Sequence, residues 1–178
     1  MKKVTIISSS PREKGNSNAL AEEFARGAKD AGNSVEIINL RDFNLHYCLA
    51  CYGCENTGRC IHDDGMWEIA EKLLASDVIV FATPVYFYSM SGQLKVFIDR
   101  LMPYYQKIRS DIYIIASQWD TDKVIMENTV NAIRGCTKEC FEHCEEKGVI
   151  YGVGLYEKGD AEKNTEIMNE AYSMGYGV

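Results

Sequence analysis

The stretch Val78-Ile79-Val80-Phe81-Ala82-Thr83-Pro84-Val85-Tyr86-Phe87-Tyr88-Ser89-Met90-Ser91-Gly92 carries the pattern that decides the fold. Its first four residues are apolar without alternation, as in a strand covered on both faces, the usual state of a strand in a parallel sheet. Pro84 lacks an N–H and cannot extend the ladder, so the strand passes into a loop. Leu94 to Arg100 then resumes a helical pattern. One strand, one loop and one helix make half of a β-α-β unit.

The same alternation runs outward in both directions. Val4 to Ile7 ends in a serine-rich loop, after which Leu20, Phe24 and Ala28 recur at helical spacing. Val35 to Ile38 is a second short strand. Asp63 and Asp64 precede Met66, Ile69, Ala70 and Leu73, which reads as a helix with acids placed to cap or charge-stabilise its start. Ile112 to Ala116 is another buried strand, Asp122 to Cys144 a long helix, Val149 to Leu155 the fifth strand and Thr165 to Met174 the last helix. Five strands alternating with helices predict an open α/β sandwich. The expected sheet orders are 2-1-3-4-5 and the dinucleotide-binding order, and each places ligands at the carboxyl ends of the strands. Residues 41–65 show no sustained period and form a cysteine-rich excursion after the second strand.

At 178 residues the chain suits a single domain, 1–178, which buries about two thirds of its unfolded surface without a covalent staple. The formal net charge of -7, with cations dispersed among acids, argues against a nucleic-acid partner. No long apolar run or secretory signal is present, so the expectation is no membrane span and a cytoplasmic location. Seven cysteines in such a setting point to metal, redox work or burial before a disulfide framework. Cys136, Cys140 and Cys144 recur every four residues and read as small buried hydrophobes on a helix.

The loops after the first, third and fourth strands are where chemistry is expected. Ser8 to Asn18 offers hydroxyls, an amide side chain and backbone N–H groups at the positive end of a helix, which suits a phosphate; a helix cap with solvated charges is the plainer reading. The loop lacks G-x-G-x-x-G and a complete P-loop pattern. Pro84 to Gly92 supplies a rigid aromatic wall suited to a flat ligand, or else core and interface aromatics. Ser117-Gln118-Trp119-Asp120 lies at the same edge.

Taken together, Ser10-Pro11-Arg12 with Gly15-Asn16-Ser17, Gly58-x-Cys60-x-x-Asp63-Asp64, Ala82-Thr83-Pro84-Val85-Tyr86-Phe87, Gly92-Gln93-Leu94-Lys95 and Asp99-Arg100 resemble the NADPH-dependent FMN reductase family, and most of all its iron-sulfur flavoprotein branch. The likeness runs from Lys3 to Ala171. It implies a flavodoxin-like three-layer sandwich with the order 2-1-3-4-5 and one FMN. Phosphate contacts are implied at Ser10, Arg12, Asn16, Ser17 and Asn18, and ring contacts at Pro84, Val85, Tyr86 and Phe87. Ser117, Gln118 and Trp119 follow at the ring by position, with Tyr88 and Trp119 on the substrate side. Ser9 stands where the family usually has glycine, and so bears on the path of the first loop. No catalytic side chain is expected, because the flavin carries the redox chemistry. The electron donor implied is NAD(P)H or a ferredoxin-like protein, and the assembly a homodimer or homotetramer.

Cys48-x2-Cys51-x2-Cys54-x5-Cys60 matches the motif of the iron-sulfur branch, which implies a [4Fe-4S] cluster on these four residues. Four-cysteine zinc and four free thiols satisfy the same spacing. Two rival functions stand beside the enzyme: a non-enzymatic flavodoxin-type electron carrier, and a zinc-stabilised interaction domain without flavin.

Overall fold

The computed structural model describes residues 1–178. Five parallel strands, β1 (Lys3–Ser8), β2 (Ser34–Asn39), β3 (Val78–Pro84), β4 (Asp111–Ser117) and β5 (Glu145–Gly152), form one sheet in the order β2-β1-β3-β4-β5. The helices are α1 (Asn16–Asp30), α2 (Gly53–Thr57), α3 (Met66–Leu74), α4 (Gly92–Asp99), α5 (Lys123–Thr137), α6 (Asp160–Lys163) and α7 (Thr165–Tyr176). The fold is a flavodoxin-like three-layer sandwich.

Strand geometry sends successive side chains to opposite faces, so the unbroken apolar runs feed two cores. Val4, Ile6, Val78, Val80 and Ile115 pack with Leu20 and Phe24 of α1 and Ile167 and Ala171 of α7. Ile7, Ile79, Phe81, Ile112 and Ile114 pack with α3, α4 and α5. On the first face α1 and α7 touch through glycine. A Cβ on Gly27 would lie 2.1 Å from the Tyr172 carbonyl oxygen, and one on Gly175 2.0 Å from that of Phe24. Any larger residue at either position forces two backbones apart.

The region after β4 differs from the sequence expectation. α5 ends at Thr137, not Cys144, because Phe141 turns inward and is buried at 1% exposure. The Cys140 and Phe141 amides both donate to the Cys136 carbonyl (3.1 and 3.2 Å), closing the helix in a tight turn. Cys140 is exposed, while Cys136 and Cys144 are half-buried. β5 begins at Glu145, earlier than the apolar run, because an edge strand pairs along one side only and tolerates Glu145, Glu146 and Lys147.

The excursion is fastened to the sandwich by one buried arginine. Arg100 is 1% exposed; its guanidinium donates to both Asp64 carboxylate oxygens (2.9 and 3.0 Å) and to the His46 carbonyl (2.6 Å). The cap of α3 is Gly65, so Asp64 serves as the partner of Arg100 and does not cap that helix. Burial alone would raise the Asp64 carboxyl, but hydrogen bonds from Arg100 and from the His46 amide outweigh it and hold the group at about 2.

Candidate functional site

The loops that follow β1, β3, β4 and β5 meet at the carboxyl edge of the sheet around a cleft of about 220 Å³. Ser10, Arg12, Gly15, Asn16 and Ser17 line one end; Pro84, Val85, Tyr86, Ser117, Gln118, Trp119, Leu155 and Tyr156 line the remainder.

The first loop is set by serines. Ser9 is fully buried; its amide and hydroxyl both donate to the Ala82 carbonyl (2.9 Å each), and its own carbonyl accepts from Ser91 Oγ (3.1 Å). The residue that replaces glycine is thus absorbed in tying β1 to β3. The Ser10 hydroxyl closes a small turn with the carbonyl and amide of Arg12 (3.2 Å each). A Cβ on Gly15 would come within 2.6 Å of that hydroxyl, so this step needs glycine for space.

α1 then starts with no side-chain cap and no acid in its first turn, leaving its first N–H groups at the positive end of the helix dipole. Ser17 Oγ is buried there without a hydrogen-bond partner. Arg41, from the turn after β2, approaches the Arg12 carbonyl at 3.5 Å and adds a cation that sequence reading did not single out.

The other end is stitched by main-chain bonds: Val85 N–H to the Ser117 carbonyl, Gln118 N–H to that of Gly152 and Leu155 N–H to that of Gln118, each 2.8 Å. The Gln118 side chain is 5% exposed. Its Nε2 donates to the carbonyls of Asp120 (3.2 Å) and Asp122 (2.7 Å), which fixes the amide orientation. Its Oε1 is left as a buried acceptor with no partner. Trp119 and Tyr156, both largely exposed, stand at the lip with ring centroids 5.7 Å apart.

Of the expected contacts, Ser10, Arg12, Asn16, Ser17, Pro84, Val85, Tyr86, Ser117, Gln118 and Trp119 come together in this cleft. The Asn16 side chain is occupied, donating to the Glu157 carbonyl (3.0 Å) and accepting from the Ala161 amide (3.1 Å). Asn18 lies behind the loop, where it accepts from Ser8 Oγ (2.6 Å) and donates to the Arg12 carbonyl (3.3 Å). Phe87 and Tyr88 occupy the tip of a turn closed by reciprocal Tyr86–Ser89 backbone bonds (2.9 and 3.0 Å). Both have positive φ (48° and 60°), and Phe87 is 99% exposed. Leu155 and Tyr156 were missed because the loop after the fifth strand shows its place at the edge only once β5 pairs with β4.

The iron-sulfur expectation is overturned. No three Cys, His, Asp or Glu side chains come together in a group that could hold a metal ion, so Cys48, Cys51, Cys54 and Cys60 do not form a [4Fe-4S] site. The zinc alternative falls with it. Cys48 and Cys51 are exposed and Cys54 and Cys60 half-buried, all as free thiols. Cys48 Sγ accepts from the Ala50 amide of its own loop (3.4 Å), Cys54 lies within α2, and Cys60 packs toward Arg100 and Tyr104. The sulfurs are thus held by separate local structures. Compact spacing in sequence does not compel convergence in space.

The sequence profile described as NADPH-dependent FMN reductase matches residues 2–117. The chain belongs to that family. Among relatives of this FMN reductase family member, an iron-sulfur flavoprotein of Archaeoglobus fulgidus is 34% identical over 104 residues, covering 58% of this chain and 47% of the relative. An iron-sulfur flavoprotein of Methanocaldococcus jannaschii is 39% identical over 101 residues, covering 57% and 52%. The chain thus spans about half the length of the curated relatives it matches. Among solved structures, an NAD(P)H:quinone oxidoreductase from Methanothermobacter marburgensis superposes with a TM-score of 0.77 at 19% identity, over 99% of this chain and 95% of the other. At that identity the likeness is one of fold. No helix is long and apolar enough to cross a membrane.

Proposed function

We propose that this family member binds one FMN in the cleft and works as an oxidoreductase, moving electrons from NAD(P)H or a ferredoxin-like donor to a small-molecule or protein acceptor. The observation that carries the reading is the pair of buried, unpartnered polar atoms in the cleft, Ser17 Oγ in the first loop and Gln118 Oε1 in the loop after β4. Buried polar atoms without partners are rare, and these suit opposite parts of one ligand. Ser17 and the free N–H groups of α1 fit a phosphate; Gln118 Oε1, an acceptor only, fits an N–H or O–H of the rest of the molecule.

Bound there, FMN supplies redox chemistry that protein side chains lack. The chain's own part is to bind, orient and shield. The α1 terminus, with Arg12 and Arg41 nearby, offsets phosphate charge. Pro84, Val85 and Tyr86 give an apolar wall with main-chain groups at its edge, and Trp119 and Tyr156 screen the lip from water. Purified protein is expected to be yellow, to hold one FMN per chain and to oxidise NAD(P)H when a quinone is supplied. A preparation that takes up no flavin on reconstitution refutes the reading. A flavin-loaded protein that exchanges electrons with reduced ferredoxin but turns over no acceptor with either donor identifies the electron-carrier alternative.

The reading includes a cytoplasmic homodimer or homotetramer. Phe87 and Tyr88 support it, since two adjacent aromatics held in water beside a shallow cleft form a surface that association covers. Sedimentation of the flavin-loaded protein as a monomer contradicts it.

A further inference from the structure

The Arg12 carbonyl is the most heavily hydrogen-bonded group of the first loop. Four donors reach it: Ser10 Oγ at 3.2 Å, the Gly15 amide at 3.3 Å, Asn18 Nδ2 at 3.3 Å and Arg41 Nη1 at 3.5 Å. A carbonyl oxygen has two lone pairs, so these bonds are shared, and all of them lie at the long end of the hydrogen-bond range. The donors come from the loop itself, from α1 and from the turn after β2.

Asn18 decides which way that carbonyl faces. It is 3% exposed, and its Oδ1 accepts from Ser8 Oγ at 2.6 Å, which fixes the amide with Nδ2 toward Arg12. The Arg12 oxygen is therefore turned to the buried side of the loop. In a planar trans peptide the C=O and the following N–H point opposite ways, so the Glu13 amide is turned outward, where it makes no hydrogen bond within the protein. Lys14 completes the reversal at φ 54°, a left-handed conformation that disfavours a side chain. The loop is thus held in this shape by its contacts and not by local preference.

An anion meets such a loop favourably only through N–H groups. A carbonyl swung toward it would set partial negative charge against a phosphate and withdraw the Glu13 N–H at the same time. We infer that Asn18 and Arg41 are positioning residues for the phosphate of the flavin. By pinning the Arg12 carbonyl to the buried side, they keep the N–H groups of the loop on its open side, and neither residue touches the ligand. Neither lines the cleft. This inference rests on the FMN reading and adds to it the device that sets the polarity of the phosphate loop. Because the bonds to the carbonyl are shared, each of the two donors partly covers for loss of the other.

The test compares dissociation constants of FMN and riboflavin, measured by flavin fluorescence, for the full chain and for Asn18→Ala, Arg41→Ala and the double variant. Each single substitution is expected to weaken FMN about fivefold, the worth of one ordinary net hydrogen bond. The double variant is expected to lose about a hundredfold, more than the two losses multiplied, because the carbonyl is then free to swing. Riboflavin, which has no phosphate, is expected to bind all of them alike. Asn18 is uncharged, so its effect is not Coulombic. The Arg41→Ala loss is expected to persist in about 1 M salt, where the Debye length is about 3 Å and the bare charge of a residue outside the cleft is screened. Arg41→Ala alters only a partly exposed side chain, so it decides the matter even where Asn18→Ala fails to fold. Equal losses for riboflavin, losses that merely multiply in the double variant, or an Arg41→Ala loss that salt abolishes overturn the inference. An unaltered chain that binds no FMN refutes the flavin reading and the inference together, whereas FMN binding that every substitution leaves unchanged refutes the inference alone.

Discussion

Replacing Asp64 by alanine is expected to lower the free energy of unfolding by about 3 to 5 kcal/mol, the usual effect of removing one partner from a buried ion pair. Arg100 has a fully buried side chain that donates two hydrogen bonds to Asp64. Truncation leaves that charge in the interior with only the His46 carbonyl against it. The damage should centre on the excursion, where His46 and Asp64 bracket the cysteines, and on the helices that flank it. Urea denaturation checks the magnitude, and Asp64→Asn, which keeps the volume, should fall between the two.

The same pair predicts an acid limb. The folded carboxyl is held near 2 against an ordinary value of 3.8, so the group is depressed on folding. Its contribution is fully present above the unfolded value and is lost as pH falls through the folded one, a loss on the order of 2 kcal/mol between about pH 5 and pH 1. Protonation costs less than truncation because a neutral carboxylic acid still accepts a hydrogen bond from Arg100 and leaves no cavity. Stability curves of the two proteins should therefore converge as the solution is acidified. Parallel curves would show that the pair does not couple folding to pH.

Ser17→Asp is expected to weaken FMN about a thousandfold while leaving the fold intact. Under the proposed reading the hydroxyl meets the phosphate, and a carboxylate there sets like charges within roughly 4 Å. At the effective dielectric of a protein surface this costs about 4 kcal/mol. The same substitution should help the isolated helix, because an acid in the first turn complements the dipole. Thermal stability without flavin and flavin affinity are then expected to move in opposite directions, which a general folding defect cannot imitate. Riboflavin, which has no phosphate, serves as the control ligand. Equal losses for riboflavin and FMN would place the phosphate elsewhere.

Much of this molecule is legible in its sequence because the deciding signals are local. An unbroken apolar run such as Val78 to Phe81 has one inexpensive solution, a strand covered on both faces. Helices spaced between five such runs leave few ways to cover a parallel sheet. The loops after β1, β3 and β4 were marked by their place at the carboxyl ends of the strands, and they do meet at one cleft.

What sequence could not decide depends on where separate segments come to rest. Ser9 looked like a departure from the family loop, yet tertiary contacts with Ala82 and Ser91 absorb it. Asn16 reads as a free amide and is spent on Glu157 and Ala161, more than a hundred residues away. Leu155 and Tyr156 belong to the cleft only because β5 lies beside β4. The cysteines show the limit most plainly: their spacing allows four sulfurs to gather, but gathering needs backbone angles that a list of residues does not specify. Folding placed Cys48 in a local turn, Cys54 on a short helix and Cys60 against Arg100. Composition and periodicity marked the five strands, their two apolar faces and the edge where the cleft lies, since burial of apolar surface is read residue by residue. The partners of each polar group were decided by the tertiary structure alone, because a hydrogen bond is satisfied by whichever group the fold brings within about 3 Å.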